Sequence, residues 1–256
     1  MGFSIIPVLL AGQMALFGAA TTTDTFHWTG HVPAGQFLEV RGINGSIHAQ
    51  PASGESIEVI ASKSGRVFDP GEIEVKVVQR DGGVTICAVY PSSADTSQCE
   101  NGGAVYNDVS VDFTVRVPSG VRFVARTVNG LVEAKSLQAD TEAHTVNGDV
   151  LLSTAGAAQG ETVNGSIIAS MGRINSALKF STVNGGITVN VPRCASARVH
   201  AQTVNGGIQT EFPLPVRGQF PAKHIDGAIG RGGPDLRLAT VNGSIRLRRT
   251  KSASNL

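Results

Sequence analysis

The most regular set of polar groups in this chain of 256 residues is a recurring Thr-Val-Asn-Gly unit. It sets Thr127, Thr145, Thr162, Thr182, Thr203 and Thr240 two positions before Asn129, Asn147, Asn164, Asn184, Asn205 and Asn242. Hydroxyls and amides repeated in this way can bond to one another as ladders, or present a polar grid to a repetitive partner such as a glycan chain or an ice surface. In a strand, residues two apart sit roughly 6.6 Å apart on one face, and neighbouring strands are about 4.8 Å apart. The plainer role is structural: Thr suits strands and Asn tolerates a bend before Gly, giving stability without a ligand.

Other chemistry finds less support. Glycoside hydrolysis needs two acidic groups roughly 5 to 10 Å apart on one surface. Glu133, Asp149, Glu161 and Asp226 fall at different positions of their repeats and form no column, so solvated charge is the simpler reading. His144, His200 and His224 are equally unmatched, which argues against a metal column. There is no GxSxG, HExxH or Walker sequence and no calcium-binding GGxGxD nonapeptide. No catalytic, cofactor-binding or metal-ligating residue is therefore assigned, and a polysaccharide-active β-helical enzyme is kept as the competing class. A net charge of +1 does not suggest a nucleic-acid partner.

The elements that position the repeated unit follow from its spacing. Asn recurs after 18, 17, 20 and 21 residues, a degenerate HIDG copy places Asp226 in the series, and an INGSI relative places Asn44 upstream. Such a period is the mark of stacked repeats, none of which can bury its apolar side alone. Asn-Gly is also a hairpin signal, but a two-residue turn at Asn184-Gly185 would send Val183 and Ile187 to opposite faces. A strand that continues through the Gly with a kink keeps them together. That register predicts Val, Gly and Ile facing inward and the Thr and Asn columns facing out. Arg246, Arg248, Arg249 and Lys251 follow the last unit, where charge on an exposed edge discourages end-to-end pairing; the alternative is contact with an anionic surface.

The composition suits short strands, with 31 Gly and few aromatic residues. Residues 21–124 alternate apolar and polar positions in QFLEVR, ESIEVIAS, EIEVKVVQ, GVTICAVY and VSVDFTVRV, which predicts an antiparallel, sandwich-like region ahead of a solenoid over 125–250. The stretch from Pro91 to Asp108 reads as a long loop, and 251–256 as a tail. Cys87 and Cys99 could bridge that loop and leave Cys194 unpaired; the alternative is three reduced thiols. The apolar residues 1–20 read as a signal segment cleaved after Ala20, or else as a single membrane anchor, which would be the chain's one membrane contact.

The repeated TVNG-x-(I/V), the early INGSI strand and the VPSG turn at Val117–Gly120 resemble an uncharacterised bacterial group of exported, adhesin-like β-strand repeat proteins. The resemblance implies an all-β, right-handed, single-stranded β-solenoid at or beyond the cytoplasmic membrane. It implies no catalytic residues. The function expected is a structural or adhesion surface of the cell envelope, exported to the periplasm, cell surface or medium, whose partner is an envelope glycan or another protein.

Overall fold

The computed structural model describes residues 22–91, 99, 107–218 and 222–250. The expected signal segment 1–20 and tail 251–256 lie outside the described residues, as does most of the expected loop 91–108. The N-terminal part supplies β1 (Thr22–His31), β2 (Phe37–Arg41), β3 (Ile47–Pro51), β4 (Ser56–Gly65), β5 (Glu74–Arg80), β6 (Gly83–Val89) and β7 (Ser110–Val117). The repeats begin with β8 (Arg122–Arg126), β9 (Val132–Leu137), β10 (Thr141–His144), β11 (Val150–Thr154), β12 (Ala158–Glu161) and β13 (Ile167–Met171). They continue with β14 (Leu178–Asn184), β15 (Ile187–Val191), β16 (Ala197–Asn205), β17 (Ile208–Thr210), β18 (Lys223–Ile229), β19 (Asp235–Asn242) and β20 (Ile245–Arg249). One short 3-10 turn at Pro70–Glu72 is the sole helical element among the described residues.

These strands form two sheets of ten that face each other across one apolar core. In the middle of the molecule each repeat gives one strand to each sheet. β8, β10, β12 and β14 stack in parallel in the second sheet, and β9, β11, β13 and β15 in the first. The register is strict enough that Val132, Val150, Ile167 and Ile187 stand in a single buried row. Each residue of that row is fully removed from water, and burial of this kind contributes roughly 1.5–3 kcal/mol per branched side chain.

The region 21–124 differs from the sandwich-like expectation. β2 and β3, and also β6 and β7, are parallel rungs of the same two sheets, and only β1, β4 and β5 run antiparallel. Alternation of apolar and polar residues is common to a half-buried antiparallel strand and to a rung with one solvated face, so the pattern could not separate them. The rung β6–β7 is joined by the long segment after Tyr90, most of which lies outside the described residues. A disulfide joins Cys87 in β6 to Cys99 in that segment, with a Cα–Cα distance of 5.7 Å, and Cys194 is free and exposed.

Rungs at both ends are out of chain order. The rung β6–β7 packs on one side of β2–β3, and β8–β9, next in the chain, packs on the other. At the far end β16–β17 takes a place one rung beyond β14–β15, β18 covers β16, and the chain returns so that β19–β20 fill the space between. Two expectations fall here. The HIDG copy is no rung: Asp226 lies in the antiparallel strand β18, opposite His200. And β20 is not an outer strand: Arg246 is paired on both sides, with β15 and β17, while Arg248 and Arg249 pair with β15 and run past the end of β17. The edge beyond them is blunted otherwise, by a β17 of three residues followed by Pro213 and Pro215.

Candidate interaction ridge

The TVNG unit is a corner. Thr182 ends its inward run in β14, Ile187 begins the next in β15, and the four residues between them carry the chain from the second sheet to the first. Thr and Ile five positions apart therefore both face inward, which no straight strand allows. This corrects the expected register. Thr127, Thr145, Thr162, Thr182, Thr203 and Thr240 are buried, while Val128, Val146, Val163, Val183, Val204 and Val241 stand at least 37% exposed. Of the twelve residues expected on an outward face, the six asparagines are there and the six threonines are not.

Each buried threonine has a task. At the corner the Gly carbonyl has turned out of the strand ladder, and the Thr hydroxyl of the neighbouring rung donates to it. The bonds are Thr127 to Gly45 at 3.0 Å, Thr145 to Gly130 at 3.0 Å, Thr162 to Gly148 at 2.9 Å and Thr182 to Gly165 at 2.9 Å. Thr240 to Gly185 at 2.9 Å and Thr203 to Gly243 at 2.8 Å continue the row. A Thr162→Val variant keeps the shape and removes the donor, leaving a half-buried carbonyl unsatisfied, and should lose about 1 kcal/mol in urea unfolding. A loss under a few tenths would show that the carbonyl finds another donor.

Outside the threonines, the asparagines bond amide to amide along the stack. Asn129 donates from Nδ2 to Oδ1 of Asn44 at 2.9 Å, Asn147 to Asn129 at 2.8 Å, Asn164 to Asn147 at 2.9 Å and Asn184 to Asn164 at 2.7 Å. The row then follows spatial order and not chain order, from Asn242 to Asn184 at 2.9 Å and from Asn205 to Asn242 at 2.8 Å. Each internal amide gives one N–H and receives one, so a second N–H and an acceptor lone pair remain to be offered. Beside this ladder runs the row of exposed valines, one per rung. The result is a ridge of alternating apolar and amide columns along one side of the molecule.

The outer face of the second sheet, next to the ridge, carries a chain of ion pairs across the rungs. Glu39 bonds Arg41 at 2.9 Å and Arg126 at 3.0 Å, and Arg126 bonds Glu142 at 3.0 Å. Glu142 also meets Arg122 at 2.6 Å and His144 at 2.7 Å, and Glu161 meets His144 at 3.5 Å and Lys179 at 2.6 Å. Burial is the largest influence on Glu39 and pushes its carboxyl up, yet the bonds from Arg41, Thr85 and Arg126 together hold it below the usual range. For Glu142 the His144 hydrogen bond leads, burial opposes it, and Arg122 and Arg126 help bring the carboxyl down to about 2.

A folded-state value below the unfolded one means that the stability Glu142 contributes is fully present above about 4.5 and is lost as pH falls towards about 2. After allowance for solvent screening this is on the order of 1–2 kcal/mol. The wild type should exceed Glu142→Gln by that amount in unfolding free energy at pH 6, and the gap should close by pH 2. A gap that does not vary with pH would show that the carboxylate charge is not the cause.

The four acidic residues considered for hydrolysis are dispersed. Glu133 is on the first sheet with His48 at 3.1 Å and Lys135 at 2.8 Å, and Glu161 is on the second. Asp149 accepts the Ser166 N–H at 2.7 Å beside a corner, and Asp226 is exposed on β18, 3.4 Å from His200. Among the described residues no group of three or more His, Cys, Asp or Glu is placed to hold a metal ion, and no helix is long and apolar enough to cross a membrane.

Corners repeated rung after rung, with one strand given to each sheet, characterise the segment from β8 to β20. Residues 122–248 match the Toastrack DUF4097 family model. The Toastrack match thus takes in all six TVNG corners and stops short of the N-terminal rungs. Among solved structures, the chain is similar to a proposed cell adhesion protein from Clostridium sporogenes ATCC 15579, with 10% identity and a TM-score of 0.48 over 90% of this chain and 100% of that one. It is also similar to a proposed adhesin from Bacteroides fragilis NCTC 9343, with 14% identity and a TM-score of 0.39 over 89% and 97%. A third is a proposed lipid binding protein from Parabacteroides distasonis ATCC 8503, with 9% identity and a TM-score of 0.32 over 90% and 97%. No curated protein matches the chain.

Proposed function

We propose that this chain is a non-enzymatic, exported interaction protein of the bacterial cell envelope, wound as a right-handed solenoid, with the valine and asparagine ridge as its contact surface. The observation that supports the reading is the row of six valines, each more than a third exposed, running beside an amide ladder with bonding capacity to spare. Single exposed apolar residues are ordinary, but a contiguous row rimmed by polar groups marks a binding surface. A linear partner is favoured because both columns repeat at the rung spacing. A glycan chain fits: sugar faces are apolar and lie on valines, while hydroxyls at the ring edges bond to amides.

The mature protein, applied to a glycan array and to insoluble envelope polysaccharide, should bind, and Val163→Asp with Val183→Asp should weaken binding about tenfold or more while leaving the melting temperature within a few degrees. Binding that survives the double substitution would move the contact surface elsewhere. Release of soluble sugar that is abolished by Glu161→Gln would make the protein an enzyme and end the reading.

A further inference from the structure

The arginines of the last rung need an explanation: β20 pairs along its length with β15, and Arg248 and Arg249 extend past the end of the three-residue β17. At the end of the first-sheet strands away from the ridge, three rung ends converge. Arg193 follows β15, Glu211 follows β17, Arg248 and Arg249 end β20, and Thr250 follows them. With Ser170 and Asn190 they line an open cavity of about 660 Å³. Arg246 lies two residues before Arg248 on the same outward column of β20.

Charge is unbalanced there. Arg41, Arg122, Arg126, Arg173, Arg198 and Arg237 each meet a carboxylate within ion-pair distance. Among the described residues Arg193, Arg246, Arg248 and Arg249 meet none. Glu211, the one acid in the cavity wall, accepts the backbone N–H of Arg249 at 3.0 Å, and the Arg249 guanidinium stacks 5.0 Å from the centre of the Phe212 ring. Two hydroxyls add donors. Thr250 Oγ1 is buried without a partner, and Ser170 Oγ accepts from Asn190 at 2.9 Å and so keeps its own proton to give.

We propose that this cavity binds a phosphate group. Guanidinium forks engage phosphate oxygens in pairs, and several arginines brought from separate rung ends suit a tetrahedral, multiply charged anion better than a single planar carboxylate. Ser170 and Thr250 would bond to the remaining oxygens, and the anion would relieve the mutual repulsion of the arginines. The phosphate could be free or could be the headgroup of an anionic lipid. The site is remote from the ridge and stands or falls independently of it.

The test is titration of the full mature protein with inorganic phosphate at constant ionic strength, followed by calorimetry and by melting temperature, beside co-sedimentation with phosphatidylglycerol and phosphatidylcholine vesicles. Arg193→Ser with Arg248→Ser should weaken phosphate binding at least tenfold and, without phosphate, should leave the melting temperature unchanged or raised. Arg173→Ser, which alters an ion-paired arginine, should bind as wild type does. Phosphatidylglycerol binding that inorganic phosphate displaces supports the site with a lipid headgroup as the source, and phosphate binding without vesicle binding supports it with a soluble one. Equal responses of the wild type and the double variant, an equal effect from chloride, or no binding in either arm would overturn the proposal.

Discussion

Gly165→Ala is expected to lower the unfolding free energy by about 3 kcal/mol or more, the upper range for forcing an extra methyl into a packed interior. A Cβ at Gly165 would fall on the carbonyl oxygen of Gly148 in the neighbouring rung, and the same clash recurs at Gly130, Gly148, Gly206 and Gly243. The obstacle is backbone, which a rotamer change cannot clear, and that backbone is fixed on both sides by the Thr and Asn bonds. Turn conformation is not the reason, since none of these five glycines has positive φ. Gly207→Ala supplies the control, because the nearest atom to a Cβ there is Ser244 Oγ at 3.8 Å. That variant should be neutral or gain a few tenths to about 1 kcal/mol from reduced freedom in the unfolded chain. Urea midpoints decide the matter: equal effects at the two positions would mean that close approach of rungs is not what demands glycine at the corner.

The glycine column also explains how the sequence could be right about the repeat and wrong about its faces. The TVNG spacing identifies one rung per unit, and the rows Val132, Val150, Ile167 and Ile187 are legible as buried. Parity extended through Asn-Gly, as for a strand that runs on, places Val and Ile together. The actual chain bends by a corner, and at a bend the alternation of faces resets. Two facts in the sequence bear on this: Thr never varies among the six TVNG units, although a solvated strand position tolerates many residues, and Gly follows every Asn. Both fit a position where hydroxyl and backbone meet the next rung.

Spatial order was not legible at all. Every TVNG unit has the same register, so nothing local distinguishes the rung of Asn205 from that of Asn242, and either could follow the rung of Asn184. What separates them is long-range: β18 must cover β16 on its outer side, so β16 cannot also accept a further rung there, and the last rung is left the inner place. The same logic applies at the other end, where β4 and β5 cover β7 and β6. Antiparallel strands thus close the second sheet at both ends and the first at its β4 end, which limits the growth that a parallel stack otherwise invites. The ridge gains from this, since the asparagine ladder runs without a break across rungs that the chain visits out of order.

Packing inside the stack predicts the other large effect. Phe180 is fully buried and sits in register with Gly160 on one side and Leu238 on the other. The missing side chain at Gly160 makes room: a Cβ there would lie 3.2 Å from Val150, 3.3 Å from Ile167 and 3.5 Å from the Phe180 ring. Phe180→Ala should therefore cost about 3–5 kcal/mol, through lost burial and the cavity left behind. Gly160→Ala should cost about 1 kcal/mol in the wild type, where the Val150 and Ile167 methyls must give way and the Phe180 ring, already in contact, leaves them no room to do so. In the Phe180→Ala background the ring is gone and Val150 and Ile167 can relax into the vacated space, so the same change should cost nothing or stabilise. The double-mutant cycle should then show a coupling of about 1 kcal/mol between adjacent rungs. Strict additivity would mean that Gly160 and Phe180 do not share space, and that the large residue and the small one on neighbouring rungs were placed independently.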